Sequence, residues 1–112
     1  MITNTYQENL ATGWSKIYNV PPNTLIAFKE LQVGTECKPN SSFKTAIYWD
    51  QDGSGMNLEK IHQVYTKDKS YKVSLNNQQF TSTQNSRVIV RRHIFGDLGI
   101  RSTYVQWSAE LE

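Results

Sequence analysis

The chain has 112 residues, of which 38% are hydrophobic, and its twelve Lys and Arg residues nearly balance ten Asp and Glu residues. This length provides one domain, and the hydrophobic content is too high for a disordered chain. A net charge of +2 lacks the strong basic bias of a domain that coats DNA or RNA, which argues against nucleic acid as the partner. Cys37 is the single cysteine, so a disulfide-stapled secreted fold is excluded.

Residues 1–13 are polar apart from Ile2, Tyr6 and Leu10, and they predict an N-terminal arm ahead of a single domain over residues 14–112. Such an arm is either a poorly ordered terminus or a segment that pairs with a neighbouring subunit. The first residues lack the basic start and apolar run of a signal peptide, and no stretch approaches the ~18 apolar residues of a membrane span. We therefore expect a protein that is made in a cytoplasm and has no membrane partner.

Residues 14–20 predict a short strand that ends at the turn Pro21-Pro22-Asn23. The next segment, residues 24–34, is strand-like because it is rich in β-branched and aromatic residues, but its apolar positions change phase. In order these positions are Ile26, Phe28, Leu31 and Val33. The change of phase predicts a β-bulge near Lys29-Glu30.

Four further segments predict strands, and the last of them is the clearest. They are residues 43–49, 70–75, 87–95 and 101–111. In the last segment, Val105 and Trp107 belong to an apolar series that alternates with polar residues, as in a half-buried antiparallel strand. Residues 58–65 predict either a strand or one helical turn, and residues 76–86 are polar with Phe80 as their one possible anchor. About seven short strands with turn-rich connections predict an all-β antiparallel sandwich, either a jelly roll or immunoglobulin-like.

The loop Asp50-Gln51-Asp52-Gly53-Ser54-Gly55 spaces side-chain oxygens in the way that a calcium-binding loop begins. A complete loop of that type needs a bidentate Glu at its twelfth position, where this chain has Ile61. Asp and Gly are also the ordinary residues of a tight hairpin turn. The turn is the favoured interpretation, so no metal site is predicted and calcium stays an open alternative.

Neither histidine, His62 or His93, has the spacing of a zinc ligand, and Cys37 has no partner base beside it in the sequence. No nucleophile elbow, phosphate loop or dinucleotide fingerprint is present. We therefore predict no catalytic residue, no cofactor and a function other than catalysis. An enzyme is the alternative if folding brings a histidine to a carboxylate or to Cys37.

All four arginines and one histidine lie within fifteen residues of the chain. They are Arg87, Arg91, Arg92, His93 and Arg101. The planar fork of arginine suits carboxylates and phosphates, because it donates two hydrogen bonds at once. The cluster predicts either solvated strand edges or a contact surface, and the low net charge favours protein over nucleic acid as the partner.

The three tryptophans allow a second kind of partner. Trp49 and Trp107 alternate with other apolar residues and are therefore predicted in the core, whereas Trp14 is expected to be partly exposed. Exposed aromatic side chains are the usual platform for sugars. A carbohydrate-binding module or host-surface adhesin domain is therefore the alternative function, with carbohydrate as a possible partner.

The segment from Trp14 to Ile26, WSKIYNVPPNTLI, resembles the opening of many small phage structural sandwiches, in which a strand, a Val-Pro step and a polar turn lead into a second strand. Those domains also tend to close with a strongly alternating strand, as residues 104–111 do. The resemblance implies a virion component of a phage or prophage, such as a capsid decoration protein or a head or tail accessory protein. It further implies a homo-oligomer that contacts capsid or other virion proteins, in a virion assembled in the host cytoplasm. That class has no catalytic residues, so the resemblance implies none here.

Overall fold

The computed structural model describes residues 2–9, 14–37, 42–66, 70–95 and 100–112. These residues form eight strands and no helix. The strands are β1 (Ile2–Asn9), β2 (Trp14–Asn19), β3 (Leu25–Cys37), β4 (Ser42–Asp50), β5 (Leu58–Thr66), β6 (Ser70–Thr81), β7 (Arg87–Phe95) and β8 (Ile100–Leu111). The segment at residues 58–65, which predicted either a strand or a helical turn, is thus a strand.

The strands form two four-stranded antiparallel sheets. The first sheet has the order β1-β8-β3-β6, and the second has the order β2-β7-β4-β5. This interleaved order over two packed sheets is that of a jelly roll, whereas an immunoglobulin sandwich has a different order. The prediction of an all-β antiparallel sandwich is confirmed, and the strand order selects the first of the two arrangements that the sequence left open.

The core lies between the two sheets and is built around two tryptophans. Trp49 on β4 and Trp107 on β8 are both buried, as predicted, and Phe28 packs edge-on against Trp49 with a centroid distance of 6.2 Å. Along β8, Val105, Trp107 and Ala109 are buried and alternate with half-buried residues. The alternating pattern of the last segment therefore marks the inner face of the first sheet.

The additional strand, β1, lies in the region for which the sequence predicted a polar arm. Within residues 1–13, Ile2–Asn9 forms β1 and pairs with β8 along its whole length. Tyr6 stacks on Trp107 at a centroid distance of 4.1 Å, so one aromatic side chain attaches this polar strand to the core. The count is eight rather than about seven because a strand at the edge of a sheet needs few apolar residues.

The predicted bulge in β3 is confirmed, because the register with both neighbouring strands shifts between Phe28 and Glu30. Opposite it, Asn76 and Asn77 of β6 have positive φ angles of 59° and 56°. Asparagine adopts this left-handed conformation more readily than most residues. The polar stretch 76–81 is therefore strand, and Phe80 anchors it by stacking on Trp49 at 5.1 Å.

Candidate functional site

An ion pair closes the end of the second sheet where β4 passes into the loop of residues 51–57. The carboxylate of Asp50 is fully buried, and Arg87 Nε donates a hydrogen bond to its Oδ2 at 2.8 Å. The amide of Gly55 donates to the same oxygen at 3.0 Å. We call this arrangement of Asp50, Arg87 and Gly55 the clasp, because it joins the end of β4, the start of β7 and the loop between β4 and β5.

The clasp changes the chemistry of the loop that resembled the start of a calcium site. Asp50 faces a guanidinium, which competes with any cation for its oxygens. Asp52 accepts hydrogen bonds from the amide and hydroxyl of Ser54 at 2.9 and 2.6 Å, and these bonds hold the pKa of Asp52 at about 2, below its usual 3.8. Each carboxylate thus stabilises the turn itself, and among the described residues no group of three acidic, His or Cys side chains converges as a metal site requires.

The loop between β6 and β7 is fastened to the same end of the sandwich. The hydroxyls of Ser86 and Thr83 donate to the backbone carbonyl of Gln51 at 2.6 and 2.9 Å. Gly53 lies so close that a Cβ atom there would stand 2.3 Å from the carbonyl oxygen of Asn85. A polar cleft of about 420 Å³ lies at this end, and Arg87, the charged base that lines it, is already held by Asp50.

The cluster of basic residues on β7 is divided by the alternation of the strand. Arg87 belongs to the clasp, whereas Arg91 and His93 lie on the outer face of the second sheet. Arg92 points inward: it is buried, its guanidinium lies 4.5 Å from the ring centroid of Phe43, and burial lowers its pKa to about 10. The side chain of Arg101 lies outside the described residues, and its strand belongs to the other sheet. Of the described side chains in the predicted cluster, Arg91 and His93 therefore lie exposed on one surface, and the buried Arg92 borders the same surface.

Arg91 and His93 line a groove of about 550 Å³ on the outer face of the second sheet, which we call the basic groove. Its other lining residues include Ser15 of β2 and Lys44, Ala46 and Tyr48 of β4. Lys44 stands opposite His93, and Ala46 stands opposite Arg91, in the register of β4 and β7. The guanidinium of Arg91 lies 5.4 Å from the centroid of the Tyr48 ring, a cation–π contact.

The outer face on which the basic groove lies also carries apolar residues. Ala46 and Ile89 are only 1% and 2% exposed, although neither belongs to the core between the sheets. Ile17 on β2 is 47% exposed beside Ile89, and Tyr65 on β5 is 61% exposed beside Lys44. The face thus combines accessible cations with apolar surface.

Ion pairs among the described residues are distributed differently over the two outer faces. Neither Lys44 nor Arg91 forms an ion pair within the described part of the chain. On the outer face of the first sheet, Lys29 pairs with Glu110 and Lys72 pairs with Glu30, each at 3.5 Å. Within the described residues, Lys29 and Lys72 of the first sheet thus have carboxylate partners, whereas Lys44 and Arg91 of the second sheet have no ion pair.

Of the remaining candidates, the two histidines have described side chains, and these lie in different surroundings. His62 lies on β5 with its ring stacked on Tyr71 of β6 at 6.4 Å, whereas His93 is exposed on the outer face of the second sheet. The side chains of Cys37 and Trp14 lie outside the described residues, so the predictions for them stay predictions.

Lys44 and Tyr48, which complete the basic groove, were not distinguished by the sequence analysis. Both alternate with the inward residues of β4, and this alternation already places them on the outer face. What the sequence does not contain is the pairing of β7 with β4 and β2, which brings Lys44, Arg91 and Ser15 together.

None of the described residues belongs to a helix with the length and hydrophobicity of a membrane span. No family model matches the chain, and no curated protein matches it by sequence.

Solved structures match its fold. A chain from the capsid of Helicobacter pylori bacteriophage KHP30 is 8% identical with a TM-score of 0.56, and the match covers 100% of this chain and 92% of that one. Drosophila NLP-core, described for pentamer formation and histone binding, is 15% identical with a TM-score of 0.49 over 95% of this chain and 97% of that one. The C-terminal family 22 carbohydrate-binding module of Clostridium thermocellum Xyn10B is 17% identical with a TM-score of 0.43 over 85% and 61%.

Of these three, the capsid chain has a TM-score above 0.5, and at 8% identity it shows a common fold and nothing finer. The structural neighbours of this jelly roll thus include a phage capsid chain, with low sequence identity and over nearly the full length of both chains.

Proposed function

We propose that this chain is a non-enzymatic structural protein of a virion, such as a capsid decoration protein or a head or tail accessory protein of a phage. The observation that carries the proposal is the complete jelly-roll strand order, which occurs widely in viral capsid proteins. The likeness to a phage capsid chain supports it. Because this chain covers 92% of that chain, the matching capsid component is itself a small protein.

The molecule suits a role in assembly because it has broad outer faces and an open groove. Both sheets present broad outer faces, and the basic groove is open along one of them. The strand β1 at the edge of the first sheet has one open side, which another chain can pair with. Protein contacts, including those of a homo-oligomer, are the interactions that such faces and edges support.

Two measurements test the proposal. Light scattering on the purified chain should give the mass of a stable homo-oligomer. Sedimentation with shells assembled from the capsid protein encoded beside its gene should carry the chain into the shell fraction. A chain that is monomeric at all concentrations and stays in the supernatant would overturn the proposal.

The second candidate function is carbohydrate binding, and one observation favours it. Tyr65 is exposed and Tyr48 lines the basic groove, so two tyrosines lie on the same face. Against it, Trp49 and Trp107 are buried, and an exposed Trp platform would have to come from Trp14 alone. A glycan array separates the two candidates, because binding that is lost on Tyr65→Ala would favour the carbohydrate-binding module.

A further inference from the structure

We infer that the outer face of the second sheet, centred on the basic groove, is the surface that docks on an acidic segment of the shell protein. This inference rests on the proposed function and deepens it, since it names the contact face and the chemistry of the partner. The occupant to which it commits is a protein segment with Asp or Glu side chains.

Three basic side chains on this face have no ion pair within the described part of the chain. Register and burial place Lys44, Lys60 and Arg91 on this face. Among the described strand residues, Asp50 is the one carboxylate that register places there, and Arg87 already occupies it. Like charges that stand close across strands lower stability. A face that keeps such charges without pairing them is therefore suited to charges that come from another molecule.

Arg91 is held against an aromatic ring. Its guanidinium lies over the ring of Tyr48 at 5.4 Å. A guanidinium in a cation–π contact keeps N–H groups that can donate the two parallel hydrogen bonds that a carboxylate accepts. The stacking also limits the motion of the side chain, so less rotamer entropy is lost when a partner binds. Tyr48 thus prepares Arg91 for a carboxylate.

Apolar side chains lie beside the cations on this face. Ala46 lines the groove, Ile89 lies near it on β7, and Ile17 and Tyr65 stand exposed on the flanking strands β2 and β5. Contact surfaces between proteins are enriched in Arg and aromatic side chains. A nucleic acid would need a longer track of phosphate contacts than three basic side chains provide, and the net charge of +2 provides little more. An acidic protein segment fits the face better.

The test compares two lysine reversals that change the net charge equally. Lys44→Glu lies in the basic groove, and Lys72→Glu lies on the outer face of the first sheet, where its pair with Glu30 is exposed. We expect Lys44→Glu to weaken sedimentation with the shell by about tenfold or more, and Lys72→Glu to weaken it by less than about twofold. Circular dichroism and light scattering verify that both variants keep the fold and the oligomer of the wild type.

The outcomes separate the inference from the proposed function. If neither the wild type nor any variant enters the shell fraction, the proposed function fails. If the wild type and both variants enter it equally, or both variants lose it equally, the shell contact exists but the basic groove is not the contact face.

A titration with poly-L-glutamate, heparin and a single-stranded oligonucleotide tests the class of partner directly. In NMR spectra of the full chain, poly-L-glutamate should shift amide signals on β2, β4 and β7 more than those on β3 and β8. Tighter binding of the oligonucleotide or heparin by about tenfold would overturn the acidic protein segment as the occupant. Shifts confined to the first sheet would overturn the location.

Discussion

Arg87 and Arg91 lie on the same strand and the same side of the second sheet, but their surroundings give them different tasks. Arg87 holds a fully buried carboxylate at 2.8 Å. Arg91 is exposed, has no ion pair among the described residues, and contacts the ring of Tyr48. One arginine therefore satisfies a charge within the molecule, whereas the other presents a charge to the outside.

Basic residues that are close in sequence can therefore contribute very differently to stability. A buried carboxylate without its cation is costly, so the clasp makes Arg87 necessary for the fold. Nothing of that kind requires Arg91, because an exposed cation near a ring contributes little stability. A residue that the fold does not need, on a face that carries uncompensated charge, is better explained by a partner than by stability.

The largest expected effect comes from removing the cation of the clasp. Arg87→Met should lower the free energy of unfolding by about 3 kcal/mol, because it leaves the buried Asp50 carboxylate without its charged partner. The matched change Arg91→Met should lower it by less than about 1 kcal/mol. Urea denaturation followed by Trp fluorescence measures both.

A second substitution verifies the cause of that loss. Asp50→Asn added to Arg87→Met should recover part of the stability, since no buried charge is then left unpaired. Equal losses for the two arginine variants would remove the distinction between clasp and groove.

The next largest effect tests how closely the loops at the clasp are packed. Gly53 and Gly55 both have positive φ angles, of 73° and 77°. A Cβ at Gly53 would stand 2.3 Å from the backbone oxygen of Asn85, whereas a Cβ at Gly55 would stand 3.4 Å from a side-chain nitrogen of Arg87. Gly53→Ala should therefore cost about 2 to 3 kcal/mol, and Gly55→Ala about 1 kcal/mol for the backbone conformation alone. Thermal unfolding of the two variants compares them, and a smaller loss for Gly53→Ala would contradict the close approach.

Much of the fold follows from alternation along the sequence. The period of two in residues 101–111 identified the inner residues of β8, and the change of phase around Lys29-Glu30 identified the bulge in β3. These features are local consequences of side-chain direction, so a single segment contains them. The strand β1 was not predicted because its residues are mostly polar. Tyr6 attaches it to the core by stacking on Trp107.

The basic groove could be predicted only in part, because it depends on pairing between distant segments. Alternation along β7 is sufficient to place Arg91 and His93 on one face of the strand and Arg92 on the other. The position of Lys44 opposite His93, by contrast, depends on β4 pairing with β7. Nor could the clasp be foreseen, because Asp50 and Arg87 are far apart in the chain and meet only at the end of these two strands.

A smaller effect compares the charges on the two outer faces. Lys72→Gln removes the exposed pair with Glu30 and should lower the free energy of unfolding by about 0.3 kcal/mol. Lys44→Gln removes a cation that has no ion pair in the described part of the chain, and it should raise stability by a similar small amount. Added salt should reduce the difference between the variants, because exposed charges are screened. Chemical denaturation at low and high salt measures this, and a loss of stability from Lys44→Gln would indicate an internal role for that lysine.

The smallest effect on stability concerns Asp52, an exposed carboxylate beside the buried Asp50. Its pKa of about 2 lies below the usual 3.8, chiefly because the hydroxyl of Ser54 donates a hydrogen bond to the charged form. A carboxylate with a lowered pKa stabilises the folded state fully above pH 3.8, and this contribution is lost as the pH falls through 2. Ser54→Ala removes the hydroxyl but keeps the amide donor, so an NMR titration should place the pKa of Asp52 between these two values. Asn57→Ala, which removes a weaker contact of 3.4 Å, should raise the pKa less. If Ser54→Ala leaves the pKa of Asp52 unchanged, the turn is not held by this hydrogen bond, and the clasp alone must fix the loop.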